Sequence, residues 1–132
     1  QDFFTGMLST ARLNDELLTA VRFPLASANQ GFGFKEFSIR HGDFALCAVA
    51  AMASSQGLRV AVGGVADCPI AQDWPLLQGV DLDDALNELA WSLQARDDLH
   101  LSAAQRRHLV RSLGRQALDQ SLAQRAMKEE KA

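Results

Sequence analysis

Three histidines, two cysteines, two short glycine clusters and one charged corner are the parts of this sequence whose chemistry has to be weighed first. His41, His100 and His108 are scattered, and no pair has the short spacing that would bring imidazoles together at the roughly 2.0–2.3 Å a zinc ion requires. They read as surface histidines, and no metal site is predicted. Cys47 lies in the most apolar stretch of the chain and Cys68 stands beside Pro69. A nucleophilic thiol needs a base and an electropositive pocket, and the sequence supplies neither, so both read as inert thiols. Gly31-Phe32-Gly33 and Gly63-Gly64 lack the third glycine that opens a helix after a parallel strand in a dinucleotide fingerprint, and they read as backbone-packing glycines. No phosphate loop and no serine nucleophile elbow occurs.

The corner is Arg40-His41-Gly42-Asp43, between the apolar run Phe32 to Ile39 and a second run from Phe44. Asp43 has the side chain of a general base, but an Asp after a Gly at a strand end more readily caps the next turn, with Arg40 placed to pair with it. That reading makes Arg40 and Asp43 a structural corner and leaves the chain without a predicted catalytic residue. The segment Gln105 to Arg111 has the basic character of a recognition helix. Charge argues otherwise: residues 67–101 hold eight acids against Arg96 alone, while residues 102–132 hold seven bases against three acids. The two stretches attract each other inside one fold, and with a net charge of -3 no nucleic-acid partner is predicted.

These residues must be positioned by one domain, since 132 residues suffice to bury roughly 65–70 % of the unfolded surface without disulfides or metal. The domain is expected over residues 1–127, with 128–132 a flexible tail. The opening Gln1-Asp2-Phe3-Phe4, without methionine, basic leader or long apolar segment, reads as a piece of a longer protein with no signal peptide and no membrane span. A hairpin turning at Ser54 to Gly57 would set Cys47 opposite Gly64 and Cys68 opposite Asp43. That offset is roughly 13 Å along a strand, too far for a disulfide, and two free thiols suit the reducing cytoplasm.

The elements follow from periodicity. Leu17 to Phe23, stopped by Pro24, predicts a strand, and Leu25 to Gly31 a loop. Phe32 to Ile39 predicts a strand with Phe32 and Phe34 on one face and Gly33, Lys35, Phe37 and Ile39 on the other. Phe44 to Ser54 is alanine-rich enough for a helix, but its pairing with the β-branched Leu58 to Ala66 across a short turn favours a hairpin. Asp81 is the expected N-cap of a helix whose apolar stripe is Leu82, Ala85, Leu86, Leu89, Ala90 and Leu93. Ser102 and Gln105 predict a capping box for a second helix striped by Leu109, Val110, Leu113, Ala117, Leu118 and Leu122. The fold class is α+β: an antiparallel sheet of three to four strands packed on a C-terminal pair of helices, the acidic one antiparallel to the basic one.

Several segments taken in order resemble a known family. They are Asp2-Phe3-Phe4-Thr5-Gly6, Asp15-Glu16-Leu17-Leu18 with Arg22-Phe23-Pro24, and Phe34-Lys35-Glu36-Phe37-Ser38-Ile39-Arg40-His41-Gly42-Asp43-Phe44-Ala45. Val60 to Pro69, Asp97-Asp98-Leu99-His100 and Arg106-Arg107 continue the likeness. Together they resemble the C-terminal domain of the FAD-binding medium subunit of molybdenum hydroxylases, the family of carbon monoxide dehydrogenase and xanthine dehydrogenase.

The resemblance implies an oxidoreductase part. In the family, electrons from a molybdenum cofactor in a large subunit pass through [2Fe-2S] clusters of a small subunit and leave through FAD. FAD sits mainly on N-terminal domains of the medium subunit, whose glycine-rich loops this chain lacks. The resemblance therefore implies a domain that closes over the isoalloxazine side, inactive and with negligible FAD affinity alone. Phe32, Phe34, Lys35 and Arg40 are then the expected flavin neighbours. Phe32 and Phe34 stand where some members place a tyrosine, and Gln105 replaces a tyrosine common before the arginine pair. The competing reading is a non-catalytic dimerisation module of a flavin-linked reductase, using Phe37, Ile39 and Trp74 as its surface.

Overall fold

The computed structural model describes residues 3–130. The first described element is a small ribbon, β1 (Phe4–Gly6) with β2 (Ser9–Thr10), paired antiparallel across the tip Met7-Leu8. β3 (Gly31–Phe37), β4 (Cys47–Ser54), β5 (Gly57–Gly63) and β6 (Ile70–Trp74) then build a second sheet in the order β3-β4-β5-β6, every neighbour antiparallel. α1 (Gly79–Ser92) and α2 (Ala103–Glu129) follow, giving the expected α+β class.

Alternation decides the segment that had helix composition. In β4, Cys47, Val49, Ala51 and Ala53 are buried while Ala50 between them is exposed, a period of two that only a strand produces. The hairpin turns where predicted, pairing Ser54 with Gly57 and running in register to Ala48 opposite Gly63. Leu58, Val60 and Val62 of β5 join the same buried face, and α1 adds Leu82, Leu86, Leu89 and Ala90. α2 completes the core with Val110, Ala117 and Leu118. Cys47 and Cys68 are free, as the register argument required.

α2 lies against the backbone of β3. A Cβ on Gly31 would collide with the Ser121 carbonyl oxygen, and one on Gly33 with the Ala117 carbonyl oxygen. The Gly-Phe-Gly run is therefore there to let helix and strand meet backbone to backbone, which is the packing reading of those glycines. The predicted capping box is present: Gln105 N–H donates to Ser102 Oγ (3.2 Å) and Ser102 N–H to Gln105 Oε1 (2.8 Å). The helices run antiparallel, tied by Arg115 to Asp83 (2.8 Å), Arg111 to Asn87 (3.3 Å) and the Arg107 guanidinium 4.3 Å from the Trp91 ring.

Five expectations need correction. Residues 17–23 form no strand, because among the described residues no strand pairs with them. Gln78, with no side-chain bond, is the N-cap of α1; Gly79 adopts φ +55° and starts the helix early, leaving Asp81 in the first turn, where its charge faces the positive helix end. β1, β2 and β6 arise where no strand was read, being too short for a periodic signal. Trp74 is half-buried against the core, so it is no free surface residue, whereas Trp91 is largely exposed under its arginine. α2 continues through Glu129, and Lys128 Nζ donates to the Gln30 carbonyl (2.8 Å), so residues 128 and 129 are helix; residues 131–132 lie outside the described residues.

Candidate functional site

The corner after β3 is closed by its backbone. Asp43 N–H and Ser38 Oγ both donate to the Arg40 carbonyl (3.1 and 3.0 Å), Gly42 takes φ +89°, and Leu46 N–H returns to the Phe37 carbonyl (2.8 Å). The expected ion pair between Arg40 and Asp43 does not form, since these bonds already fix the turn. Both side chains instead line an open cleft of about 580 Å³ with Ile39, Phe44, Leu46 and His100. Phe44 is 99 % exposed.

The corner's far end is held by Arg106, a residue that sequence reasoning placed only on a basic helix. Its side chain is buried, and Nη1 donates to the Leu46 carbonyl (3.0 Å) and the Gly64 carbonyl (2.8 Å), while Nη2 bonds the Asp98 carboxylate. Three elements are thereby clamped: the corner, the loop after β5 and the link between the helices. Asp98 also accepts N–H bonds from Leu101 and His100 (both 2.8 Å). Those two bonds first, with Arg106 adding to them, hold its carboxyl below the ordinary carboxylate range. Burial pushes the neighbouring Cys47 thiol up to about 11, only partly opposed by the Arg106 charge, so this cysteine is no nucleophile at neutral pH. The signal for Arg106 was readable: it stands four residues before Val110 on the apolar stripe, and an arginine there requires buried acceptors.

A second cleft of about 530 Å³ shares Phe44 and Leu46 with the first and is bounded by Met7, Leu8, Gly64, Arg96 and Arg106. Leu8 adopts φ +56°, left-handed and unusual for a leucine, and is fully exposed with Met7 beside it. The ribbon that carries them is tied down by Cys68 Sγ, which donates to the Phe4 carbonyl (3.4 Å).

The four predicted site residues fall into three places. Phe32 and Phe34 share the outer face of the sheet with Ala50 and Met52, and Lys128 Nζ stands 5.9 Å from the Phe32 ring centre. Lys35 points to the opposite face, half-buried, in the row of Val49. Arg40 alone lies in the corner cleft. Among the described residues, no group of three or more His, Cys, Asp or Glu side chains is placed to hold a metal ion. Also among them, no helix is long and apolar enough to cross a membrane.

No family model matches the chain. Curated proteins do. The nicotine 6-hydroxylase medium subunit of Paenarthrobacter nicotinovorans is 35% identical over 131 aligned positions, covering 89% of this chain and 45% of that one. The chain resembles that medium subunit over most of its own length. The caffeine dehydrogenase subunit beta of Pseudomonas sp. (strain CBB1) is also similar, 35% identical over 72 residues, 54% of this chain and 24% of its own length. The chain thus spans less than half the length of the curated relatives it matches. Its fold is that of the carbon monoxide dehydrogenase of Hydrogenophaga pseudoflava (TM-score 0.83, 18% identity, 93% of this chain and 47% of that chain). Quinoline 2-oxidoreductase from Pseudomonas putida 86 shares it too (TM-score 0.77, 23% identity, 96% and 47%).

Proposed function

We propose that this chain is the C-terminal domain of an FAD-binding medium subunit and that it closes over one side of the flavin ring. Its partners are then the N-terminal FAD-binding domains of the same subunit, an iron-sulfur small subunit and a molybdenum large subunit. Electrons from the molybdenum centre reach an acceptor through [2Fe-2S] clusters and FAD. The flavin supplies the redox chemistry, and this chain's residues cover and orient it. Two free thiols support a cytoplasmic setting.

The observation that carries this reading is the meeting of the two clefts at Phe44, with Met7 and the left-handed Leu8 exposed on one side and Arg40 on the other. A row of exposed Phe, Met and Leu side chains suits the flat apolar face of a ring system, and a strained exposed residue is a mark of a functional loop. The chain does not suit the pyrophosphate. Such a group wants free N–H donors at a helix N-terminus or glycine loop. Here the start of α2 is closed by its own capping box, that of α1 carries Asp81, and Gly31 and Gly33 face α2. The ring is therefore covered by this domain and the rest of FAD is held elsewhere, so the isolated chain is inactive.

Substitution in the complete subunit separates this surface from the outer face of β3. Phe44→Ala is expected to shift the flavin absorption bands and open the ring to iodide quenching, while Phe34→Ala leaves both unchanged. The opposite pattern would put the ring on Phe32 and Phe34. The dimerisation reading loses Trp74 from its surface, leaving Phe37 and Ile39, and mass measurement by light scattering over a wide concentration range is expected to give monomer.

A further inference from the structure

Residues 17–26 make no hydrogen bond, by backbone or side chain, to any other described residue. Yet they are not polar. Leu17, Val21 and Phe23 stand 83%, 63% and 83% exposed, and Leu18 and Leu25 are exposed too. A run of unpaired backbone donors and acceptors carrying large apolar side chains is unlike a solvated loop, which is small and polar. Its pattern is that of a strand. Leu17, Thr19, Val21 and Phe23 fall on one face at period two, Leu18, Ala20 and Arg22 on the other, and Pro24, which has no N–H, ends the run.

The chain's own sheet does not take this strand. The outward N–H of Phe32, on the edge strand β3, is already bonded to Gln124 Oε1 (2.6 Å), and α2 is packed along that edge strand's backbone. The relatives are more than twice as long as the part this chain covers, so the missing half of such a subunit is large enough to bring a sheet of its own. We propose that residues 17–23 are a β-strand that completes a sheet in the other half of the subunit, placing Leu17, Val21 and Phe23 in that sheet's core. This rests on the reading of the chain as part of a medium subunit. The strand crosses over to the neighbouring domain and returns at β3, so the two halves are joined by main-chain hydrogen bonds as well as by the covalent link.

Amide hydrogen exchange of residues 17–23, in the isolated chain and in the complete subunit, tests it. In the isolated chain these amides exchange at the unprotected rate. In the subunit alternate amides, at period two, slow by at least about tenfold. Val21→Pro removes that protection in the subunit while leaving the melting temperature of the isolated chain unchanged. Fast exchange in a subunit that carries its flavin overturns the strand and leaves the proposed function standing. Slowed exchange in a subunit that binds no flavin supports the strand while the flavin reading fails. Protection that grows with concentration in the isolated chain assigns the strand to a second copy and overturns the proposal.

Discussion

Arg106 is the side chain on which the corner depends. It offers a rigid fork of donors to two carbonyls and one carboxylate, and truncation takes that donor from the part-buried Leu46 and Gly64 carbonyls. Arg106→Ala is expected to cost about 2 kcal/mol, the range for losing hydrogen bonds made by a charged group, read as a lowered urea midpoint. Lysine keeps the charge but cannot reach three acceptors in a plane, so Arg106→Lys recovers only part of the loss. Acid acts on the same cluster through Asp98. Its folded pKa is depressed, chiefly by the Leu101 and His100 N–H bonds, so its contribution is fully present above the unfolded carboxyl's pKa and lost as pH falls through the depressed value. Urea midpoints measured down that range are expected to fall in the native chain and to fall less in Asp98→Asn.

The meeting of β3 and α2 is the tightest contact between elements. Gly33→Ala drives a methyl group into the Ala117 carbonyl, so helix and strand must part, and a loss of about 3 kcal/mol is expected in thermal or urea unfolding. Gly63→Ala, where nothing lies within 4 Å, is expected to stay within about 0.5 kcal/mol. Equal losses at the two positions would show that the cost is one of backbone freedom and not of close approach. The elements legible in the sequence were those whose signal is local. The hairpin register followed from one turn, the start of α2 from Ser102 and Gln105, and the two helix stripes from their spacing. What was hidden depends on contacts distant in the chain. The Arg40–Asp43 pair was a sound local guess displaced by backbone bonds at the same corner, and the Met7-Leu8 tip has too few residues to show a period. The strand pattern at residues 17–23 is genuine in the sequence, but a strand without a neighbour cannot form.

At the scale of the whole chain, one core joins β4, β5 and β6 to two helices, and the acidic and basic stretches of the sequence meet across the helix pair. That core makes a domain with clefts and exposed apolar residues at one end. A binding surface that covers a ring without holding the rest of the cofactor has little affinity of its own, because contact on one face does not offset the entropy of capturing a free ligand. Where FAD is bound is therefore decisive. Equilibrium dialysis of FAD against the isolated chain, and against the complete subunit that carries it, is the direct measurement. The prediction is no saturable binding to the isolated chain and one equivalent bound to the subunit; stoichiometric, tight FAD on the isolated chain would contradict it.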